Sequence, residues 1–261
     1  MDINIAFGAT EDWLKFTRVT ITSILLNARD EDMYTFYILC DKFSPATVQA
    51  FESLYAVGNC EFKFVRMNNS IFEGAIHDWL GVSSSYRLIL SSVAKDIDKI
   101  LYLDSDIIVN HNIAKLYKTD VSKYYLAGVE DKQSDKMKSR VGLNEKQTFI
   151  NAGVQLFNLK EFRKNNLEKI IFEKLRASNY YTDQDVINDV CRDKILQLPL
   201  RYNLMPSNGY KSRRDEYEKA FLNPVVIHYA IKPWQNAEAP LKEYWFKYVD
   251  FLNKNIYNTG F

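Results

Sequence analysis

Apolar residues recur along this chain at two spacings, and the two alternate. Ile3–Phe7, Phe36–Leu39 and Lys99–Leu103 are short apolar runs that predict buried strands. Cys60–Val65 alternates apolar and polar positions, as a strand with one covered face does. Between these runs, Trp13–Asn27, Ser44–Tyr55 and Ser83–Val93 read as helices. The second half is less regular. Tyr124–Val129 and Gly153–Phe157 predict strands, Leu159–Arg176 a helix, and a further short helix starts near Asp183. Val225–Tyr229 predicts a late buried strand and Leu241–Asn253 a closing helix rich in aromatics. Strands that alternate with helices imply right-handed βα crossovers, hence an α/β fold whose mainly parallel, Rossmann-like central sheet is flanked by helices. No repeat or Pro/Gly-rich linker interrupts the pattern, so residues 1–261 are expected to form one domain.

Composition narrows the function. The chain is 47% hydrophobic and 26% charged, a globular profile, and its 14% aromatic content argues against any long disordered stretch. Lys and Arg together number 34 against 33 Asp and Glu, so the net charge is only +1 and no nucleic-acid partner is expected. Three widely spaced cysteines, Cys40, Cys60 and Cys191, form neither a disulfide framework nor a CxxC metal site. They fit a reducing, cytoplasmic compartment. The acidic start MDINIAFGAT carries no basic n-region, and no apolar run approaches the eighteen or so residues of a membrane span.

The most informative segment is Lys99–Val109, KILYLDSDIIV. An apolar strand delivers Asp104 and Asp106 at its carboxyl end, where open α/β sheets bind ligands. Residues two apart on an extended chain point the same way, so the two carboxylates can converge. Such a pair of hard oxygen ligands suits Mg²⁺ or Mn²⁺. Asp-Ser-Asp is also good turn chemistry, but a surface turn is seldom embedded between runs such as ILYL and IIV. Two enzyme classes place Asp-x-Asp after such a strand. Haloacid-dehalogenase-type phosphatases open their domain with it, whereas GT-A glycosyltransferases place it after a nucleotide-binding half. Three βα units precede Asp104, which favours the second class.

Four other segments carry candidate chemistry. Arg87, in Ser85-Tyr86-Arg87-Leu88, can reach a phosphate or a sugar hydroxyl from a helix. Asn151-Ala152-Gly153 is a small turn that a ligand can approach closely. Thr182-Asp183-Gln184-Asp185 opens a helix with more polar groups than capping needs. His228 ends the late strand, and Lys232-Pro233-Trp234 follows at once; an imidazole can complete a metal site and a lysine can neutralise a diphosphate.

In their order and spacing, MDINIAFGAT, TITSIL, YRL, LYLDSDIIV, FINAGVQLFNL, TDQDVIND, RYNLMP and HYAIKPW resemble glycosyltransferase family 8, bacterial lipopolysaccharide galactosyl- and glucosyltransferases of GT-A fold. The resemblance spans nearly the whole chain. It implies a retaining hexosyltransferase that uses a UDP-hexose donor and Mn²⁺, with a glycan or glycolipid acceptor in lipopolysaccharide, capsule or protein-glycan synthesis. Galactose is slightly favoured over glucose. About 1–110 would form the nucleotide-binding half, and about 111–261 the smaller acceptor-side and metal-completing half. By position, Asp104, Asp106 and His228 would ligate the metal. Gly8, Ala9, Thr10, Asp12 and Trp13 would cradle uridine, and Lys232 would hold the diphosphate. Arg87, Asn151, Ala152, Asp183 and Gln184 would meet the donor sugar, while Asp131 and Pro206 would face the acceptor.

For catalysis, the resemblance implies front-face internal return with Gln184 stabilising the oxocarbenium-like centre; Asp185 as a covalent nucleophile is the competing assignment. The phosphatase or sugar-nucleotide hydrolase and a non-catalytic nucleotide-sugar-binding protein are the other classes. Two departures stand out. Thr10 falls where the family commonly has Asp, and only Tyr229, Ala230 and Ile231 separate His228 from Lys232, a shorter loop without the family's glycine. The closing segment LKEYWFKYVDFLNKN offers at most a weak peripheral contact with the inner-membrane face, and reads better as a helix packed on the core.

Overall fold

The computed structural model describes residues 1–76, 81–131, 133–177, 182–206 and 214–256. The strands among them are β1 (Asp2–Gly8), β2 (Met33–Cys40), β3 (Cys60–Arg66), β4 (Lys99–Leu103), β5 (Ile107–Val109), β6 (Leu126–Glu130), β7 (Ile150–Asn158), β8 (Ile195–Leu198) and β9 (Val226–His228). The α-helices are α1 (Leu14–Leu26), α2 (Pro45–Glu52), α3 (Leu90–Val93), α4 (Ala114–Tyr117), α5 (Ser134–Val141), α6 (Leu159–Lys164), α7 (Leu167–Ala177), α8 (Asp183–Cys191), α9 (Arg214–Leu222) and α10 (Lys242–Asn255).

Seven strands form the central sheet in the order β3-β2-β1-β4-β7-β6-β8. β7 runs antiparallel to both its neighbours, and every other adjacent pair is parallel. The expected mainly parallel α/β sheet is therefore present. Its pleat sorts alternate side chains to two cores. Ile3, Ile5, Phe7, Tyr34, Phe36, Ile38, Leu101 and Leu103 pack on one face with α1 and α10. Ala6, Tyr37, Leu39, Ile100 and Tyr102 pack on the other with α6, α7 and α8. The closing helix α10 buries Trp245, Tyr248, Val249 and Leu252, as expected of a core-packing helix. Among the described residues no helix is long and apolar enough to cross a membrane.

Several elements differ from the sequence expectation, among them four with a local reason. Ile107–Val109, for which the sequence pattern predicts no element of its own, is a separate strand: the chain turns at Asp104–Asp106 and β5 pairs antiparallel with β9, with Ile107 opposite His228. The predicted helix 159–176 is two helices, because Asn165 caps α6 and Asn166 enters the left-handed region at φ 51°. Most of the predicted helix 83–93 is a 3-10 segment, Val82–Ile89. β8, only four residues long and half-covered, carries too weak an apolar signal to read alone.

The polar interruptions of α1 explain how the acidic turn is held. Thr17, Thr20 and Ser23 recur every three residues and are fully buried. Thr17 Oγ1 lies 2.8 Å from Ser105 Oγ, and Thr20 Oγ1 lies 3.0 and 2.7 Å from the carbonyl oxygens of Ser105 and Ile107. Ser23 Oγ accepts from the Val109 N–H at 2.9 Å. A hydroxyl stripe that looks out of place in an apolar helix thus satisfies the backbone of the turn that presents Asp104 and Asp106.

Candidate active site

The site grows from the carboxyl end of β4. The Asp104 N–H donates to the Gly153 carbonyl at 2.9 Å, and the Tyr229 N–H to that of Asp106 at 3.0 Å. These bonds bring the ends of β4, β7 and β9 together. Asp104, Asp106 and His228 each offer a ligand atom, and the three atoms lie within 4.8 Å of one another. His228 Nε2 is 3.3 Å from Asp106 Oδ1 and 3.8 Å from Asp104 Oδ2. Asp106 Oδ1 is buried and accepts no hydrogen bond, since the nearby imidazole sits in ion-pair range without hydrogen-bond alignment. A buried carboxylate oxygen without a donor is expensive. A divalent cation would resolve it, and the O,O,N donor set fits Mn²⁺ or Mg²⁺.

Charge in the site is arranged around these acids. Burial by itself would raise the Asp106 pKa, but His228 and Lys232 outweigh it and hold the carboxyl well below the usual carboxylate range. The short 229–231 loop returns Lys232 directly onto Asp106 Oδ2, and its ammonium also donates to the Tyr229 carbonyl at 2.7 Å. Arg87, 3% exposed, is the other cation. It lies 2.8 Å from Asp104 Oδ1 and 2.8 Å from Asp183 Oδ2, donates to the Ala152 carbonyl, and stacks 4.3 Å from the Tyr102 ring centroid. Burial pulls its pKa down, yet Asp104 and Asp183 reverse that and raise it. Asp183 is pushed up, first by burial, against the opposing pull of Arg87 and with Asp104 adding repulsion.

The residues expected to meet the donor sugar form a chain of amides. Gln184 Oε1 accepts from the Ala152 N–H at 2.8 Å, and Gln184 Nε2 faces Asp131 Oδ2 at 3.4 Å. Asn151 Nδ2 donates to the same Asp131 oxygen at 3.0 Å, and Asn151 Oδ1 accepts from the Gly153 N–H at 3.0 Å. Gly153 is required by contact: a Cβ there would stand 2.3 Å from His228 Cε1 and 2.9 Å from Asp104 Oδ2.

A cleft of about 330 Å³ opens onto the acidic cluster, lined by Gly8, Ala9, Thr10, Trp13, Ser83, Ser84, Arg87 and Asp104–Asp106. Gly8 lets the 3-10 segment close in, since a Cβ would meet the Ser83 carbonyl oxygen at 2.6 Å. Trp13, 36% exposed, is braced by Trp234, whose ring stacks on Phe16 at 4.0 Å. The Lys-Pro-Trp segment therefore supports both the cation beside Asp106 and the aromatic wall of the cleft.

Most of the residues singled out in the sequence meet here, and three do not. Asp12 lines a neighbouring cleft of about 480 Å³ with Glu11 and Arg18, because the tight turn Glu11–Trp13 sends successive residues to different sides. Asp185, 1% exposed, is held by Arg140 and by Thr182, whose hydroxyl donates to Asp185 Oδ2 at 2.9 Å. The competing nucleophile is thus engaged in capping and ion pairing, one helical step round from Gln184. Pro206 is buried, and its carbonyl accepts from the Tyr217 hydroxyl at 3.3 Å. Sequence reasoning passed over Arg140, Asn188 and Asn203. Asn188 brackets the Ile150 backbone, accepting from its N–H at 2.8 Å and donating to its carbonyl at 2.9 Å. Only the long-range fold reveals these partners.

Comparison with known proteins bears on the fold and the family of the chain. The solved structure of the galactosyltransferase LgtC, a complex with donor and acceptor sugar analogues, superposes with a TM-score of 0.79 at 24% identity, covering 95% of this chain and 96% of that one. The bifunctional glycosyltransferase WbbM superposes at 0.84 with 20% identity, over 95% of this chain and 49% of that chain. Both show the GT-A fold expected from the sequence. A putative glycosyltransferase of Haemophilus influenzae is 28% identical across 98% of this chain and 77% of its own length. A lipopolysaccharide 1,2-glucosyltransferase of Escherichia coli is 26% identical across 98% of this chain and 78% of its own. The family model described as Glycosyl transferase family 8 matches residues 4–238, and the chain belongs to that family.

Proposed function

We propose that this glycosyltransferase moves a hexose from a UDP-sugar to a glycan or glycolipid acceptor of the bacterial surface, retaining the anomeric configuration and requiring Mn²⁺. The observation that carries the reading is the convergence of Asp104, Asp106 and His228 beside a cleft walled by Trp13, with Asp106 Oδ1 buried and without a hydrogen-bond donor. Asp104, Asp106 and His228 would hold the ion, which when bound supplies positive charge to a diphosphate leaving group.

The chain's own residues do the rest. Lys232, already against Asp106, turns its ammonium to a diphosphate oxygen as charge develops there. Ala9, Thr10 and Trp13 line the uridine end, and Arg87 fixes Asp104, Asp183 and the Ala152 carbonyl as one wall for the sugar. Gln184, held by the Ala152 N–H, presents an amide to the anomeric centre. An amide is a poor nucleophile and Asp185 is engaged elsewhere, which supports return on one face. In that step the anomeric C–O bond to the diphosphate breaks, and the acceptor oxygen bonds the same face. The acceptor proton passes to the departing phosphate oxygen. Asp131, at the end of β6, orients the acceptor.

Thermal-shift measurement with a panel of nucleotide sugars, with and without Mn²⁺, tests the reading. A donor at about 100 times its dissociation constant adds roughly 2.7 kcal/mol of stability. Stabilisation by one UDP-sugar only when Mn²⁺ is present is expected; equal stabilisation without metal would remove the metal assignment.

A further inference from the structure

The orientation of one buried amide determines which nitrogen of His228 carries a proton. The Gly153 backbone N–H can only donate, so the atom it meets at 3.0 Å on Asn151 is the amide oxygen. Asn151 Nδ2 then faces Asp131 Oδ2 at 3.0 Å, a carboxylate that can only accept, and the two contacts agree. Asn203 Nδ2 lies 2.9 Å from that same Asn151 oxygen, so this end of Asn203 must be its NH₂. The other end is therefore its oxygen, and it lies 3.0 Å from His228 Nδ1. An amide oxygen has no proton to give, so Nδ1 must donate. In the neutral ring Nε2 then keeps its lone pair, and Nε2 is the atom turned toward Asp104 and Asp106.

We infer that Asn203 is a positioning residue: it holds His228 in the Nδ1–H form that presents Nε2 to the cation, and it ties that ligand to the sugar-facing amide Asn151. Asn203 itself is fully buried, is not among the residues that line the cleft, and hydrogen-bonds through its side chain to Asn151 and His228. Its effect passes entirely through its two neighbours. This is the role that hydrogen-bond partners of metal-bound histidines play generally, where their loss costs about 10–100-fold in metal affinity. The inference rests on the metal reading of the site, and one link is new: the same side chain connects the metal ligand with Asn151, Asp131 and Gln184.

Two variants separate the two ends of the amide. Asn203→Asp keeps an oxygen for His228 Nδ1 but sets a carboxylate oxygen against Asn151 Oδ1. Asn203→Leu removes both partners. With Mn²⁺ binding followed by the electron paramagnetic resonance of free Mn²⁺ in saturating UDP, Asn203→Leu is expected to weaken the ion about 10–100-fold. Asn203→Asp should restore it to within about threefold, because the orienting acceptor is back. The donor KM of Asn203→Asp should nevertheless rise about tenfold, the size of one lost buried hydrogen bond.

A second measurement needs no variant. The chain has three histidines, so ¹⁵N-histidine spectra of the wild-type protein with Mg²⁺ and UDP resolve His228 readily. A protonated Nδ1 is expected. An Nε2–H ring there, or Mn²⁺ affinity unchanged in a folded Asn203→Leu protein, overturns the role of Asn203. Wild-type protein that binds no Mn²⁺ would instead overturn the metal reading, so the two failures are distinct.

Discussion

Two acidic groups, at the end of β4 and at the start of α8, differ in their surroundings. At the β4 end, Asp106 keeps one buried oxygen without a hydrogen-bond donor and Asp104 shares its other oxygen with Arg87. At the start of α8, Asp185 is equally buried, yet one oxygen meets Arg140 and the other the Thr182 hydroxyl. The first group has coordination to spare and the second has none. A carboxylate whose oxygens are all engaged inside the protein is a structural device, whereas one kept short of partners is poised for an external charge. Gln184 is held by the Ala152 backbone N–H and by Asp131, so it is fixed in place without being an ion.

The comparison breaks most visibly at the metal end. Asp104→Ala with Asp106→Ala removes two proposed ligands, and turnover should fall by about 10³-fold or more, the several kcal/mol of a lost counter-charge. Mn²⁺-dependent stabilisation by UDP, read by thermal shift, should vanish with it. Persistent stabilisation would place the cation elsewhere. Gly153→Ala changes none of the proposed ligands but would set a methyl group 2.3 Å from His228 Cε1. Displacing the imidazole should weaken Mn²⁺ by about 10–100-fold, as loss of ligand orientation does elsewhere. Titration with Mn²⁺ in saturating UDP checks it, and unchanged affinity would mean that His228 is not a ligand.

The parts of this site that sequence made legible are those carried by local pattern. The apolar runs of β1, β2 and β4 and the Asp104–Asp106 pair at a strand end need only a few adjacent residues to be recognised. The two acids converge beside His228, but they do so through the turn that ends β4 and not along an extended strand, so the shared direction of residues two apart picks the right pair by a geometry the chain does not adopt. What local pattern misses is pairing between distant segments. That Ile107–Val109 leaves the main sheet depends on β9, about 120 residues on, and no periodicity records it. Arg140, Asn188 and Asn203 belong to the same class: each is an ordinary polar residue until the fold supplies its partner. The Thr and Ser positions of α1 looked like interruptions of an apolar helix, and they are, because their hydroxyls serve the turn that holds Asp104 and Asp106.

The smaller effects sharpen the contrast on the α8 side. Gln184→Ala removes the group nearest the Ala152 N–H and leaves that donor without its partner. If Gln184 meets developing positive charge, kcat should fall about 10²-fold, the size of one lost transition-state contact, while donor KM changes little. A rise confined to KM would make Gln184 a binding residue only.

Asp185→Asn is the mildest change and discriminates best between the two acidic groups. It deletes a charge but keeps an oxygen that can still accept from the Thr182 hydroxyl, so the loss centres on the pair with Arg140. Because the Arg140 side chain is about a third exposed and can turn to water, the cost should be about 1–2 kcal/mol rather than that of a fully buried pair. For a chain of this size that lowers the melting temperature by roughly 2–4 °C per kcal/mol. Turnover should stay within a few-fold of wild type, since a nucleophile's loss would instead cost orders of magnitude. A variant that melts normally but cannot transfer sugar would reverse the assignment, making Asp185 the attacking group and its contact with Arg140 the resting state of a catalytic carboxylate.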